Sequence, residues 1–449
     1  MRRNGWVIGW ALVVGLGCGG GSEAPARPVA APAARPAGGP PGGGPPGGGG
    51  GPGPGGAGAP VQSSHGFPAF HGMSAPAGPP ITEAGAWSAP VRVSTDDGGG
   101  YRPQVAAGPD GALHAVYYAR LAAGDLLRHR LSTDGLTWSS PQPFGFTEHR
   151  NWGPDIVAEA DGRVTVVFDH ALPDFTSQGW FTQRGPDGAW SAPIALTPDN
   201  PSGEVGSGHI ADTGDGAYAA VWIGKARVGP GERFRAWARW GRPGAWAEPV
   251  PLSDGQADAW HTNVERRPDG TVLAGWDIGQ GGGETTLYVA DGRDGRFGPA
   301  ENLSAGGGRP GERPHFAFGA DGVDHVTWFH KQAARPVAVY VRSGRPGAWA
   351  ARVDEPSRGY GGFHFDPDIA IDADGVRVLV WGWDNNTDAE LVYAVDRGQG
   401  WEPPRRVASL GSGKPGLPSL TVGPDGTFTV VWNQGVAGQS EVYAARWNP

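Results

Sequence analysis

From residue 81 onward, apolar residues come in short β-branched and aromatic runs, among them TVVF (165–168) and FTVVW (428–432), bounded by Gly, Pro or Asp. No stretch of this region carries the 3.6-residue period of an amphipathic helix, so the pattern predicts strands joined by tight turns. The turns are themselves periodic. The aspartates of seven Asp-Gly dipeptides, Asp110, Asp161, Asp215, Asp269, Asp321, Asp374 and Asp425, are spaced by 51, 54, 54, 52, 53 and 51 residues. A period of this size marks a repeat architecture. Seven residues after each aspartate stands an aromatic: Tyr117, Phe168, Trp222, Trp276, Trp328, Trp381 and Trp432. Each Asp-Gly therefore reads as a hairpin turn between two strands.

A second aromatic column, Trp87, Trp138, Trp190, Trp246, Phe297, Trp349 and Trp401, accompanies the first. Four short strands per repeat are the content of a propeller blade, which predicts an all-β, seven-bladed β-propeller of four-stranded antiparallel blades. The first Trp copy precedes the first Asp-Gly, and the last repeat ends at YAARWNP without an outer strand. Trp87 to Ser94 is expected to be the N-terminal strand that closes the last blade and removes exposed sheet edges. Aromatics that recur in every repeat are assigned to packing between blades.

The innermost strands should begin on the face opposite the Asp-Gly turns. Six residues before each aspartate stand Gln104, Asp155, His209, Asn263, His315, Asp368 and Ser419, all polar beside apolar neighbours. Two residues earlier come Arg102, Gly153, Ser207, His261, Arg313, Asp366 and Leu417. The ends of the second strands bring Asp169, His170, Asp277, His330 and Lys331 to the same mouth. A solvated channel needs only Gln, Asn and Ser; histidines, arginines and carboxylates in one concavity point to a site. The aromatic columns repeat while the polar positions differ, which favours one asymmetric central site over seven equivalent ones. Trp260 and Tyr360 offer faces on which sugar rings stack. The histidines lack the tight spacing of a zinc motif, and the acidic stretch from Asp366 to Asp374 lacks EF-hand spacing, so neither a metal nor another cofactor is expected.

The start of the chain changes the picture of where this head sits. MRRNGWVIGWALVVGLGC has a basic n-region and an apolar run too short to span a bilayer, the form of an export signal. Cys18, the only cysteine, excludes internal disulfides and resembles the lipid-modified cysteine of a bacterial lipoprotein. The expected organisation is a signal segment 1–18, a disordered Gly/Pro-rich tether 19–80 and a propeller 81–449. A coil of some 60 residues reaches roughly 45 Å. The net charge of −9 without a basic run speaks against nucleic acid and anionic lipid as partners. The protein is expected to be an exported monomer on the outer or cytoplasmic membrane, facing the periplasm or the exterior, with the lipid as its only membrane contact.

STDGLTW (132–138) is one residue short of the Asp box, and with the blade pattern it makes the domain resemble the sialidase-like superfamily of Asp-box (BNR) propellers. GYRPQVAAGPDG is similar to the Tyr-Arg-Ile-Pro motif of that superfamily, which implies Arg102 as a ligand of a sugar carboxylate, with Arg313 the next best placed. Sialidases have six blades, three arginines, and a tyrosine–glutamate nucleophile with an aspartate acid/base; this chain shows seven repeats and no such pairing. Seven-bladed relatives include polysaccharide lyases, which need a cation on the uronate carboxylate with a base and an acid beside it. A hydrolase instead needs two carboxylates at controlled separation.

The sequence thus predicts an acidic or polar glycan bound, and open to cleavage, over the axis. His261, His315, Asp155 and Asp368 are the catalytic candidates. Arg102, Arg313, Gln104, His209, Asn263, Asp277, His330, Trp260 and Tyr360 are the binding candidates. The alternative is a non-catalytic scaffold that docks a glycan or a protein on the same face.

Overall fold

The computed structural model describes residues 73–449 except 123, 173–175, 199–203, 229–230, 280–284, 306–308, 333–334, 409, 411–412 and 437–438. Segment 1–18 with Cys18, and the expected tether up to residue 72, lie outside the described residues. The described residues are all-β and contain no helix.

Each repeat supplies three main strands in antiparallel chain order with a short outer piece. In the first repeat these are Tyr101–Ala107, Leu113–Leu121 and Gly124–Ser132, with Gln142–Phe144 outside. The later repeats begin at His149–Ala158, Val205–Gly214, Ala259–Arg266, Glu312–Phe318, Phe363–Ile371 and Lys414–Val422. The first two share one sheet through a short parallel contact at Gly124–His149 and Asp125–Arg150. In the fifth, a single bridge between Val341 and Asp354 stands where the others have an outer strand.

The turns form as the sequence predicts. All seven Asp-Gly glycines have φ between 69° and 85°, a region open to glycine at little cost. In five of the turns the aspartate accepts the N–H two residues on at 3.0–3.1 Å, as Asp110 does from Ala112. STDGLTW is a further turn of this kind, between the third and outer strands. Asp134 Oδ1 accepts from Leu136 (2.9 Å) and Thr137 (2.6 Å), which holds its carboxyl down at about 2.

The first aromatic column is buried throughout, each ring contributing roughly 2 kcal/mol by leaving water. The second bridges repeats: Trp190 stacks on Phe144 at 4.2 Å, and Phe297 meets Trp240 at 5.3 Å. Nearer the axis, each first strand packs against that of the next repeat, and Lys414–Val422 against Tyr101–Ala107. Polar side chains tie these neighbours together. Asp155 accepts from Ile210 N (2.9 Å), Asp368 from Leu420 N (2.7 Å), Ser419 from Val105 N (3.1 Å), and Asn263 donates to Pro314 O (3.2 Å).

Val91 and Arg92 pair with Ala444 and Tyr443 on the outside of the last repeat. Ser94 Oγ accepts from Val442 N at 2.8 Å, and Val93 is fully buried. Residues 73–80, assigned to the tether from composition, run against the sixth repeat: Gly361 N donates to Pro79 O (3.1 Å) and Gly362 N to Pro76 O (3.0 Å).

Candidate active site at the mouth of the axis

Every first strand breaks register near its start. The interruption lies between Tyr101 and Gln104 in the first repeat, and at the matching place in the other six, with a one-residue offset in the fourth. The residues lifted out of the ladder are pairs such as Arg102-Pro103, Gly153-Pro154, Arg313-Pro314 and Asp366-Pro367. Proline has no N–H to lose there. In six repeats the first residue of the pair sits at positive φ: Arg102 51°, Gly153 56°, Ser207 55°, Arg313 56°, Asp366 49° and Leu417 49°. Left-handed backbone at non-glycine residues costs about 1–3 kcal/mol each and concentrates at functional sites. Here the five non-glycine residues among them, Arg102, Ser207, Arg313, Asp366 and Leu417, all line one cavity at the axis.

The cavity so formed is lined by Arg102, Gln104, Gly153, Ser207, His209, His261, Arg313, His315, Asp366 and the intervening prolines, and holds about 80 Å³. That is room for several waters or one small charged group. Arg313 Nη1 donates to Asp366 Oδ1 at 2.8 Å, and its buried Nε has no partner among the described residues. Burial, and to a smaller degree the facing Arg313, bring the Arg102 guanidinium down to about 10.

Two carboxyls at the ends of second strands, Asp169 and Asp277, lie buried behind the lining. Asp169 is fully buried, with both oxygens shielded from solvent and the Ser207 backbone N–H directed at the carboxyl. Burial raises it to about 8 although Arg102 opposes the shift. Asp277 takes His261 Nδ1 at 2.8 Å, and burial raises it to about 7. His261 is lowered to about 3, by burial first and Arg313 second. At neutral pH the pocket thus holds two guanidiniums, an ion-paired Asp366, and uncharged Asp169 and His261.

The sequence-derived candidates divide into groups. Arg102, Gln104, His209, His261, Arg313 and His315 meet in the cavity, with Asp277 behind His261. Asp155, Asn263 and Asp368 lie one layer deeper, along the channel through the axis, where they bond neighbouring strands. Their oxygens have a structural task, as does the contact of each carboxylate with a histidine: His209 Nδ1–Asp155 (3.5 Å) and His315 Nδ1–Asp368 (3.2 Å). Three binding candidates line neither space. His330 Nδ1 is bonded to Pro310 O (2.6 Å), Trp260 lies beside Phe234, and Tyr360 lines a separate groove with Trp401 and Pro403. Among the described residues no group of three or more His, Asp or Glu side chains is placed to hold a metal ion.

No family model matches the chain, and no curated protein matches it either. Its fold is similar to that of a protein of unknown function from Dyadobacter fermentans, at 14% identity over 80% of this chain and 98% of that one, with a TM-score of 0.52. Weaker likenesses include an alpha-L-arabinanase from Penicillium chrysogenum complexed with arabinobiose (12% identity, 82% and 98% covered, TM-score 0.46). A Trypanosoma rangeli sialidase in complex with DANA is similar at 12% identity, with 83% of this chain and 60% of that one covered and a TM-score of 0.43. The architecture is of the β-propeller type. At these identities the likeness is one of fold, and activity must be argued from the site.

Proposed function

We propose that the protein is an exported, lipid-anchored, seven-bladed propeller of the sialidase-like type that binds an acidic glycan at the mouth of its axis. The seven repeats are the blades, and Val91–Arg92 completes the last. Cys18 carries the lipid, and the segment that follows holds the monomeric head off the membrane.

The sugar carboxylate sits against Arg102 and Arg313. One observation carries this reading: the guanidiniums of Arg102 and Arg313 line one pocket, Arg313 ion-paired with Asp366 and Arg102 beside Asp169, which burial holds uncharged. Like charges at short range in a low dielectric repel strongly, and an anion between them removes that cost. Guanidinium matches a carboxylate with two parallel hydrogen bonds.

A second reading, cleavage of the bound glycan, is favoured by the His261–Asp277 pair, since an imidazole oriented by a carboxylate is the arrangement of a general base. Titration of the full chain with carboxylated and neutral oligosaccharides, with assays for new reducing ends and unsaturated uronates, tests both. Carboxylate-selective binding that falls at least ~30-fold in Arg102→Met, equivalent to about 2 kcal/mol, is expected. Equal affinity for neutral sugars would refute the first reading; absent product with intact binding would refute the second.

A further inference from the structure

The polar ring six residues before the Asp-Gly aspartates has an internal symmetry. From the second repeat to the sixth it runs Asp155, His209, Asn263, His315, Asp368, so that two histidines flank an asparagine and two aspartates flank the histidines. Each imidazole leans outward onto its own aspartate, His209 Nδ1 to Asp155 at 3.5 Å and His315 Nδ1 to Asp368 at 3.2 Å. The aspartates are fixed in turn by backbone N–H groups, Asp155 by Ile210 (2.9 Å), Asp368 by Leu420 (2.7 Å) and Ile369 (2.8 Å). Neighbouring strands thus set the orientation of both rings.

The two rings stand where two spaces meet. His209, His315 and Gln104 line both the mouth cavity of about 80 Å³ and the channel of about 470 Å³ beneath it. The imidazole side chains keep 18% and 23% of their surface exposed. Nε2 is a far atom of the ring as seen from the backbone, so in a side chain that lines the axis with Nδ1 turned to its aspartate it is the nitrogen left for an occupant. A carboxylate beside Nδ1 favours the proton there, and an uncharged imidazole then offers a lone pair at Nε2. Arg102 and Arg313 bound the same small cavity, so an occupant reaches guanidinium donors and imidazole acceptors at once. The two guanidiniums oppose a metal cation on those lone pairs, and an acceptor gives nothing to a carboxylate oxygen. A hydroxyl suits them.

We infer that His209 and His315 are a hydroxyl-reading pair at the floor of this site: their Nε2 atoms accept hydroxyls borne close to the carboxylate that Arg102 and Arg313 hold, which makes the ligand class a polyhydroxy acid and not any organic anion. This deepens the carboxylate reading of the mouth and rests on it. The division of donors and acceptors also orients the ligand, because charge and hydroxyl cannot exchange places.

Calorimetric titration of the full chain at pH 8, above the ordinary range of imidazole, tests this with two pairs of acids. Acetate and glycolate differ by one hydroxyl; cyclohexanecarboxylate and methyl glucuronide share a six-membered ring and differ in its hydroxyls. The unmodified protein should prefer glycolate by ~5-fold and methyl glucuronide by ~25-fold, the equivalents of one and two ordinary hydrogen bonds. His209→Asn and His315→Asn keep a donor for the aspartate and remove the Nε2 acceptor. Each should cut the methyl glucuronide preference by ~5-fold, and the double variant should bring both pairs to within ~2-fold. A second readout needs no variant: in ¹⁵N spectra of the unmodified protein, two imidazole Nε2 resonances should move upfield with glycolate or methyl glucuronide and stay in place with acetate. Equal affinity within either pair for the unmodified protein, preferences that persist in the double variant, or Nε2 resonances that do not move overturn the hydroxyl pair and leave the carboxylate reading standing. No binding of any of the four acids overturns both.

Discussion

The described body should be most stable near pH 6.5 and lose stability steeply on the acid side. Six histidines are held low by burial: His114, His170, His325 and His364 at about 4, His129 and His261 at about 3. In the unfolded chain each titrates near pH 6.5. A base whose folded pKa is depressed binds its proton only in the unfolded state, so between about pH 6.5 and pH 4 falling pH favours unfolding. Three carboxyls act in the opposite sense: Asp169 at about 8, Asp277 at about 7, and Glu265, which burial, and then Asp368 and Asp155, push well above its ordinary value. These hold protons in the folded state that the unfolded chain releases above about pH 4. On the acid side the histidines prevail by about three protons, a slope of about 4 kcal/mol per pH unit. Above pH 7 only the carboxyls remain, and stability declines as pH rises through their folded values. Urea unfolding of the full chain at constant ionic strength, from pH 4.5 to 8.5, measures this. A level midpoint between pH 7 and 5 would refute the argument, because a domain of ordinary stability, about 5–15 kcal/mol, cannot hide such a slope.

Other outcomes follow from the two layers around the axis. Asp368→Ala removes acceptors from Leu420 N (2.7 Å) and Ile369 N (2.8 Å) and should cost about 2 kcal/mol in urea unfolding while anion binding survives. Gly153→Ala should show the reverse balance: about 1 kcal/mol of backbone strain, with anion affinity reduced in titration because the new methyl, 3.1 Å from Arg102 Nη1, forces that guanidinium to shift. Removing the chain up to Ser94 leaves Gln439–Trp447 as an open edge, and size-exclusion chromatography should then show association that the intact chain lacks.

Much of this arrangement was legible in the sequence because it repeats. The Asp-Gly turns and both aromatic columns each have one chemical cause acting in every copy, and the pairing of Val91–Arg92 supplies the outer strand that the last copy lacks. The convergence of Arg102, Arg313, His209, His261 and His315 follows from strand order alone. The bulges do not, although a signal is present: Pro103, Pro154, Pro314, Pro367 and Pro418 occupy one place in five first strands, where an unbroken inner ladder would not tolerate them. Trp260 and Tyr360 are placed at the mouth only by nearness in sequence to the first strands, and His330, at the end of a second strand, turns to Pro310 O instead. Loop paths decide where such residues point, and no periodicity encodes those. Asp169 reads in the sequence as one polar residue among several, since its burial depends on what the neighbouring repeats place around it.

The bulges also explain why two polar rings, two residues apart on the same strands, do different work. In an unbroken strand the residue eight before each Asp-Gly aspartate and the residue six before it would point the same way and compete for the axis. Lifting one pair out of the ladder separates them into layers. The deeper ring of Asp155, Asn263, Asp368 and Ser419 spends its polar atoms on the backbone of the next repeat. Those bonds hold neighbouring first strands together while six residues at the mouth remain at positive φ. Each tie is worth about 1 kcal/mol, comparable with the strain it sits beneath. The outer ring also differs from repeat to repeat but meets in the cavity, and one asymmetric pocket results in which Arg102, Arg313, His261 and Asp366 come together.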